Sequence, residues 1–143
     1  MWKRVRRLRF DDGALLGYAV AVLVHVRIAL ALLPWPRVVK LVREAPADRE
    51  PHYSVDQLER AVRRASRTLP GSTCLAQALV MHRLLSRCGY PSVIRIGVRR
   101  EGPQFLAHAW VECEGTCFPA DDREIVRYIP LTTWPSSPRD PRR

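Results

Sequence analysis

The stretch Gly71-Ser72-Thr73-Cys74-Leu75-Ala76-Gln77-Ala78-Leu79 places a cysteine where a turn becomes a helix. Pro70 and Gly71 close the preceding segment, Ser72 or Thr73 supplies a side-chain acceptor for a free first-turn amide, and an apolar helical run follows as far as Gly89. Cys74 is therefore expected in the first turn, where unpaired N–H groups and the positive end of the helix dipole stabilise a thiolate. The helix carries Leu75, Ala78, Leu79, Met81, Leu85 and Cys88, apolar nearly all round, which predicts a place at the centre of the domain. Met81 and Cys88 read as core residues, His82 as a residue of the helix surface, and Gly89 as the C-terminal cap. A cysteine on an apolar helix is also what a small core residue looks like, so its meaning depends on partners elsewhere in the chain.

Those partners are in a hairpin pattern downstream. Phe105-Leu106-Ala107-His108-Ala109-Trp110-Val111-Glu112-Cys113 and Thr116-Cys117-Phe118-Pro119-Ala120-Asp121-Asp122 flank Glu114-Gly115, a two-residue turn signal. With that turn Cys113 faces Thr116, and the same register continued puts His108 opposite Asp121; one residue more puts Asp122 there. Directly opposed side chains share a face of the sheet about 5 Å apart at Cβ, close enough for a carboxylate to orient an imidazole. Pro119 removes a ladder donor, so this strand is expected at an edge. The result is a nucleophile, a base and an orienting group in the order Cys74, His108, Asp121 or Asp122, the logic of an activated thiol.

Upstream, residues 1–10 are basic and residues 14–33 are almost unbroken apolar, about 30 Å if helical. Arg27 and His25 near the middle offset the apolar gain on an insertion scale, so hydropathy leaves spanning undecided. Gly17, Ala21, His25 and Ala29 form a ridge of mostly small residues on which another helix is expected to pack. A soluble or peripheral cytoplasmic protein is expected, with the basic and hydrophobic residues 1–33 available for membrane association. Pro34-Trp35-Pro36 breaks the run before one or two further helical turns, and residues 44–51 are a polar connection. Ser54-Val55-Asp56-Gln57 is a capping box, with Tyr53 and Leu58 spaced as a hydrophobic staple. The helix it opens has an apolar face of Val55, Leu58, Val62 and Ala65, leaving Glu59, Arg60, Arg63, Arg64 and Arg67 to face water or an acidic ligand. Residues 93–98 alternate as a strand, residues 125–131 read as a last strand, and residues 135–143 read as a disordered basic tail. The expected organisation is an N-terminal basic and hydrophobic helical region over 1–50, a catalytic core over 51–134 and the tail, in an α+β arrangement of helices on a small antiparallel sheet.

Composition narrows the partners. The 143 residues carry 24 Lys and Arg against 14 Asp and Glu, a formal charge of +10, which favours acidic partners. The arginines are dispersed without interleaved aromatics, so nucleic-acid binding is not expected. Four cysteines in a chain of this size do not form a disulfide framework, and Cys113 and Cys117 lack the ligand pairs a zinc site needs; no metal and no cofactor are expected.

The Cys74 helix, the Ile94-Arg95-Ile96-Gly97-Val98-Arg99 strand, the His108-Ala109-Trp110-Val111 strand and Tyr128-Ile129-Pro130-Leu131 together resemble the transglutaminase-like family of lasso-peptide leader peptidases. The resemblance covers residues 54 to 134, and the hydrophobic region ending in Leu33-Pro34-Trp35-Pro36 is similar to the N-terminal part of its stand-alone members. It implies a papain-like cysteine protease core with Cys74 as nucleophile, His108 as base and Asp121 or Asp122 as orienter. The backbone N–H of Cys74, with Gln77 as second donor, is the expected oxyanion site. The resemblance further implies a precursor peptide as substrate, a small leader-binding partner protein, which this chain is too short to contain as a domain, and a separate ATP-dependent cyclase acting afterwards. Two other readings fit the same residues: acyl transfer to an amine, and a non-enzymatic basic binding module.

Overall fold

The computed structural model describes residues 2–43, 53–119 and 123–134. The expected polar connection at 44–51, the aspartates Asp121 and Asp122, and the tail at 135–143 lie outside the described residues. Four helices, α1 (Trp2–Leu32), α2 (Trp35–Arg43), α3 (Val55–Thr68) and α4 (Cys74–Arg87), precede and cover an antiparallel sheet of β1 (Ser92–Glu101), β2 (Gln104–Cys113), β3 (Thr116–Phe118) and β4 (Ile129–Trp134). The strand order is β3-β2-β1-β4, which makes the Pro119-terminated β3 an edge strand as expected. The α+β class read from the sequence is the class observed.

Local rules account for most boundaries. In α3 the Ser54 side chain accepts from the Gln57 N–H while the Gln57 side chain accepts from the Ser54 N–H, so both halves of the capping box form. In α4 the Thr73 hydroxyl accepts from the Ala76 N–H, making Cys74 the first helical residue. Its far end closes on Gly89 at φ +79°, with Gly89 N–H bonding to Ser86 and Tyr90 N–H to Leu85, the paired bonds of a Schellman cap. The β2–β3 turn takes positive φ at both Glu114 and Gly115, the geometry whose twist matches the flanking strands.

Four expectations change. The helix expected to begin at residue 14 runs unbroken from Trp2, because a single exposed Gly13 costs only about 1 kcal/mol against the packing of a long apolar face. Of the ridge of Gly17, Ala21, His25 and Ala29 only Ala29 is buried; α1 packs against α3 and α4 through Leu15, Ala19, Val22, Leu23 and Val26 as well. Those larger side chains exclude more water per residue than the small ridge would. The last strand starts at Ile129, since residues 125–127 form a 3-10 turn that carries the chain across the sheet. Finally, His82 is buried at 5% exposure: Nδ1 lies 2.8 Å from the Ser92 hydroxyl and the ring meets Trp134 edge-on at 5.1 Å. Burial pulls its pKa down to about 4, so the imidazole is neutral and structural.

The core joins α1, α2, α3 and α4 to one face of the sheet. Leu23, Leu58, Leu79 and Leu85 from the helices and Ile94 and Val111 from the strands are almost completely removed from water. Alternation along β2 sends Ala109 and Val111 to this face and leaves His108, Trp110 and Glu112 on the other.

Candidate active site

Cys74 owes its position to a braced loop. Pro70 and Gly71 lead into the Thr73 cap, Gly71 sits at φ +78° where a side chain would strain the backbone, and Ser72 Oγ donates to the Leu69 carbonyl at 2.9 Å. From α1, Arg27 Nη1 donates to the Pro70 carbonyl at 3.1 Å. The sequence marks Arg27 only as a charge that weakens membrane insertion; its role as a brace on the turn before Cys74 depends on a contact across 43 positions.

His108 is placed by an aromatic layer on the outer face of the sheet. Its ring stacks on Trp110 at 6.1 Å and 23° and meets Tyr128 at 5.2 Å. Trp110 is buried because Gly97 on β1 leaves room for it: a Cβ at residue 97 would lie 2.9 Å from Trp110 Cη2 and 2.9 Å from the Ile129 carbonyl. Trp110 Nε1 donates to Glu112 Oε1 at 3.3 Å, and Arg95 Nε holds Glu112 Oε2 at 2.6 Å while Arg95 Nη1 donates to the Thr133 hydroxyl. On the other flank Arg99 pairs with Glu124 and lies over the Tyr128 ring at 5.1 Å. Trp110 and Tyr128 are the aromatic neighbours of His108, and Gly97, the register partner of His108, is the sequence signal that a large ring needs room there.

The two elements meet at a cleft of about 210 Å³. Cys74, Gln77, Ala78 and Met81 of α4 form one wall, His108 and Ala109 of β2 with Phe118 and Pro119 form the second, and Glu59, Val62 and Arg63 of α3 the third. Among the described residues the β2–β3 register is Cys113↔Thr116, Glu112↔Cys117 and Val111↔Phe118, as the two-residue turn predicts. Glu59 and Arg63, on the face of α3 expected toward water or an acidic ligand, line the cleft and pair with each other at 2.9 Å.

Gln77 lines the same cleft, with its side-chain amide donating to the Ser72 carbonyl at 3.4 Å. The expected opposition of His108 and Asp121 or Asp122 falls on residues outside the described set. The remaining cysteines are set apart. Cys88 and Cys113 are buried, Cys113 and Cys117 occupy opposite faces of the sheet, and burial pushes the Cys113 and Cys117 thiols up, Glu112 adding to the effect at Cys117. Among the described residues no three His, Cys, Asp or Glu side chains gather as a metal site.

Cys74, at the start of its helix, and His108, on its strand, share one cleft, and the family model described as transglutaminase-like superfamily matches residues 20–133. The chain belongs to the transglutaminase-like superfamily. Members of the superfamily are commonly cysteine-dependent enzymes, peptidases and acyltransferases among them. The matched span starts inside α1 and so takes in the helix whose Arg27 braces the Cys74 turn. No curated protein and no solved structure matches the chain.

Proposed function

We propose that this protein is a cysteine peptidase that removes the leader from a ribosomally made lasso-peptide precursor. The observation that carries the reading is the shared cleft of Cys74, at the N-terminus of the central helix, and His108, on the neighbouring strand. The family-like segments at 74–79, 94–99, 108–111 and 128–131 support the substrate class. In this reaction the Cys74 thiolate attacks the carbonyl carbon of the leader–core amide, forming a C–S bond, and the C–N bond breaks as His108 donates a proton to the leaving amine. Water then attacks the thioester, giving up its proton to His108 and releasing the leader carboxylate and the thiol. The Cys74 backbone N–H, free at the first turn, is a donor for the oxyanion, with Gln77 beside it. The proposal includes Asp121 or Asp122 as the group orienting His108, a small leader-binding protein that presents the precursor, and a cyclase that acts on the product.

Mass spectrometry of a precursor incubated with the protein and its leader-binding partner tests this directly. A free leader fragment is expected with the native chain and not with Cys74→Ala, which removes one sulfur without disturbing the helix. Cleavage retained by Cys74→Ala would refute the reading. A mass gain on an added amine with no free leader would move the chain to the acyltransferases of the same superfamily.

A further inference from the structure

Over residues 19–32 helix α1 is apolar except for His25 and Arg27, yet among the described residues only one side of it is covered. The buried stripe runs through Leu15, Ala19, Val22, Val26 and Ala29. Opposite it Val24 is 39% exposed, Ile28 53% and Leu32 76%, at helical spacings of four that keep them on one line. The line continues through the α1–α2 elbow, where residues 31–37 are all exposed and Trp35 stands 41% open. An apolar helix face of this length ordinarily has apolar surroundings, and among the described residues nothing covers this one.

The charges beside the face say which partner fits. Residues 13–43 contain no Asp or Glu; their charges are Arg27, Arg37, Lys40 and Arg43, and Arg37, Lys40 and Arg43 are exposed on α2 next to the elbow. Leucines and a tryptophan followed by cations are the composition of a segment that sinks its apolar side chains below anionic headgroups and leaves its cations among them. A second copy of this chain would bring the same positive charge against itself, on a molecule already at +10. Because Leu23 and Val26 are locked into the core, α1 is not free to be ringed by lipid and lies along the surface instead of crossing it.

We propose that the outer face of α1 and the elbow at residues 31–37 dock this protein on an anionic lipid surface. Through Arg27, which holds the Pro70 carbonyl, the docked helix is directly joined to the turn that starts the Cys74 helix. The docking is independent of which acyl-transfer reaction the cleft performs.

Co-sedimentation of the full chain with phosphatidylcholine–phosphatidylserine vesicles, beside pure phosphatidylcholine vesicles, tests it. Binding is expected only to the mixed vesicles, released by high salt and by alkaline carbonate. Leu32→Ser with Trp35→Ser, both on exposed positions, should weaken it roughly tenfold or more. Arg37→Glu with Arg43→Glu should weaken it by a similar factor, roughly one decade. Unchanged melting temperatures of both variants show that the fold is kept. A native chain that stays in the supernatant, or a Leu32→Ser/Trp35→Ser variant that binds as well as the native chain, overturns the proposal. So does resistance to carbonate, which would make α1 a spanning helix, or a dimer in sedimentation velocity that the same substitutions dissociate, which would make the face a contact between copies.

Discussion

The two faces of the four-stranded sheet are built from the same strands and are lined by different chemistry. The inner face presents Ile94, Ala109, Val111 and Phe118 to α4, aliphatic and aromatic groups at low exposure whose packing holds the domain together. The outer face presents Arg95, Gly97 and Arg99 from β1 and His108, Trp110 and Glu112 from β2, a layer of rings and ion pairs closed over by Tyr128. Each face has its histidine nearby. His82 points from α4 to the inner face and is buried and neutral; His108 stands on the outer face at the rim of the cleft. The alternation of a strand sets two layers one residue apart: Ala109 belongs to the core and borders the cleft from the inner face, and His108 reaches the same cleft from the outer face.

The sharpest way to break this contrast is to exchange damage between the faces. His108→Gln should lower turnover about 10³-fold, the usual worth of a positioned general acid–base, while unfolding in urea changes by less than about 1 kcal/mol. Ile94→Ala should cost about 3 kcal/mol of stability and leave the turnover of the folded fraction nearly intact. If both variants lose activity and stability together, the faces are not separate.

Acid separates the two histidines next. His82 titrates near 6.5 when unfolded and near 4 when folded, so the unfolded chain binds the extra proton between those values. His82 therefore contributes its stability above about pH 6.5, and that contribution, at most about 3 kcal/mol, is lost as pH falls toward 4. Urea midpoints for the native chain should therefore fall more steeply across this window than those of His82→Leu. Parallel slopes would show that the inner-face histidine accepts its proton without cost.

The smallest effect examines the outer layer. Gly97→Ala places a methyl 2.9 Å from both the Trp110 ring and the Ile129 carbonyl, and one of these contacts is backbone that cannot turn aside. A cost of about 2 kcal/mol is expected, against about 1 kcal/mol for Ile94→Val on the inner face, measured by the same urea titrations. A neutral Gly97→Ala would mean that Trp110 does not need the space β1 leaves for it.

Much of this fold is written in short-range chemistry. Ser54 and Gln57 cap α3, Thr73 caps α4 ahead of Cys74, and Glu114-Gly115 sets a hairpin register that the strands follow for three pairs. The cysteine and the histidine stood out for the same reason, since a cap and an alternating strand assign positions within a few residues. Other features were closed to such reading. Which side of an all-apolar α1 would be buried, whether His82 would face water or Trp134, and whether Glu59 and Arg63 would border the cleft depend on partners tens of positions away.

By itself, then, the sequence determined the helix starts, the hairpin register and the turn-to-helix setting of Cys74, because hydrogen bonds over three or four residues and two-residue turns leave few alternatives. Tertiary packing set that Arg27 braces the turn before Cys74, that Tyr128 lies against the His108 ring, and that Cys74 and His108 line one cleft. These arrangements join residues 20 to 43 positions apart, and such contacts form only when packing of the whole chain has brought their elements together.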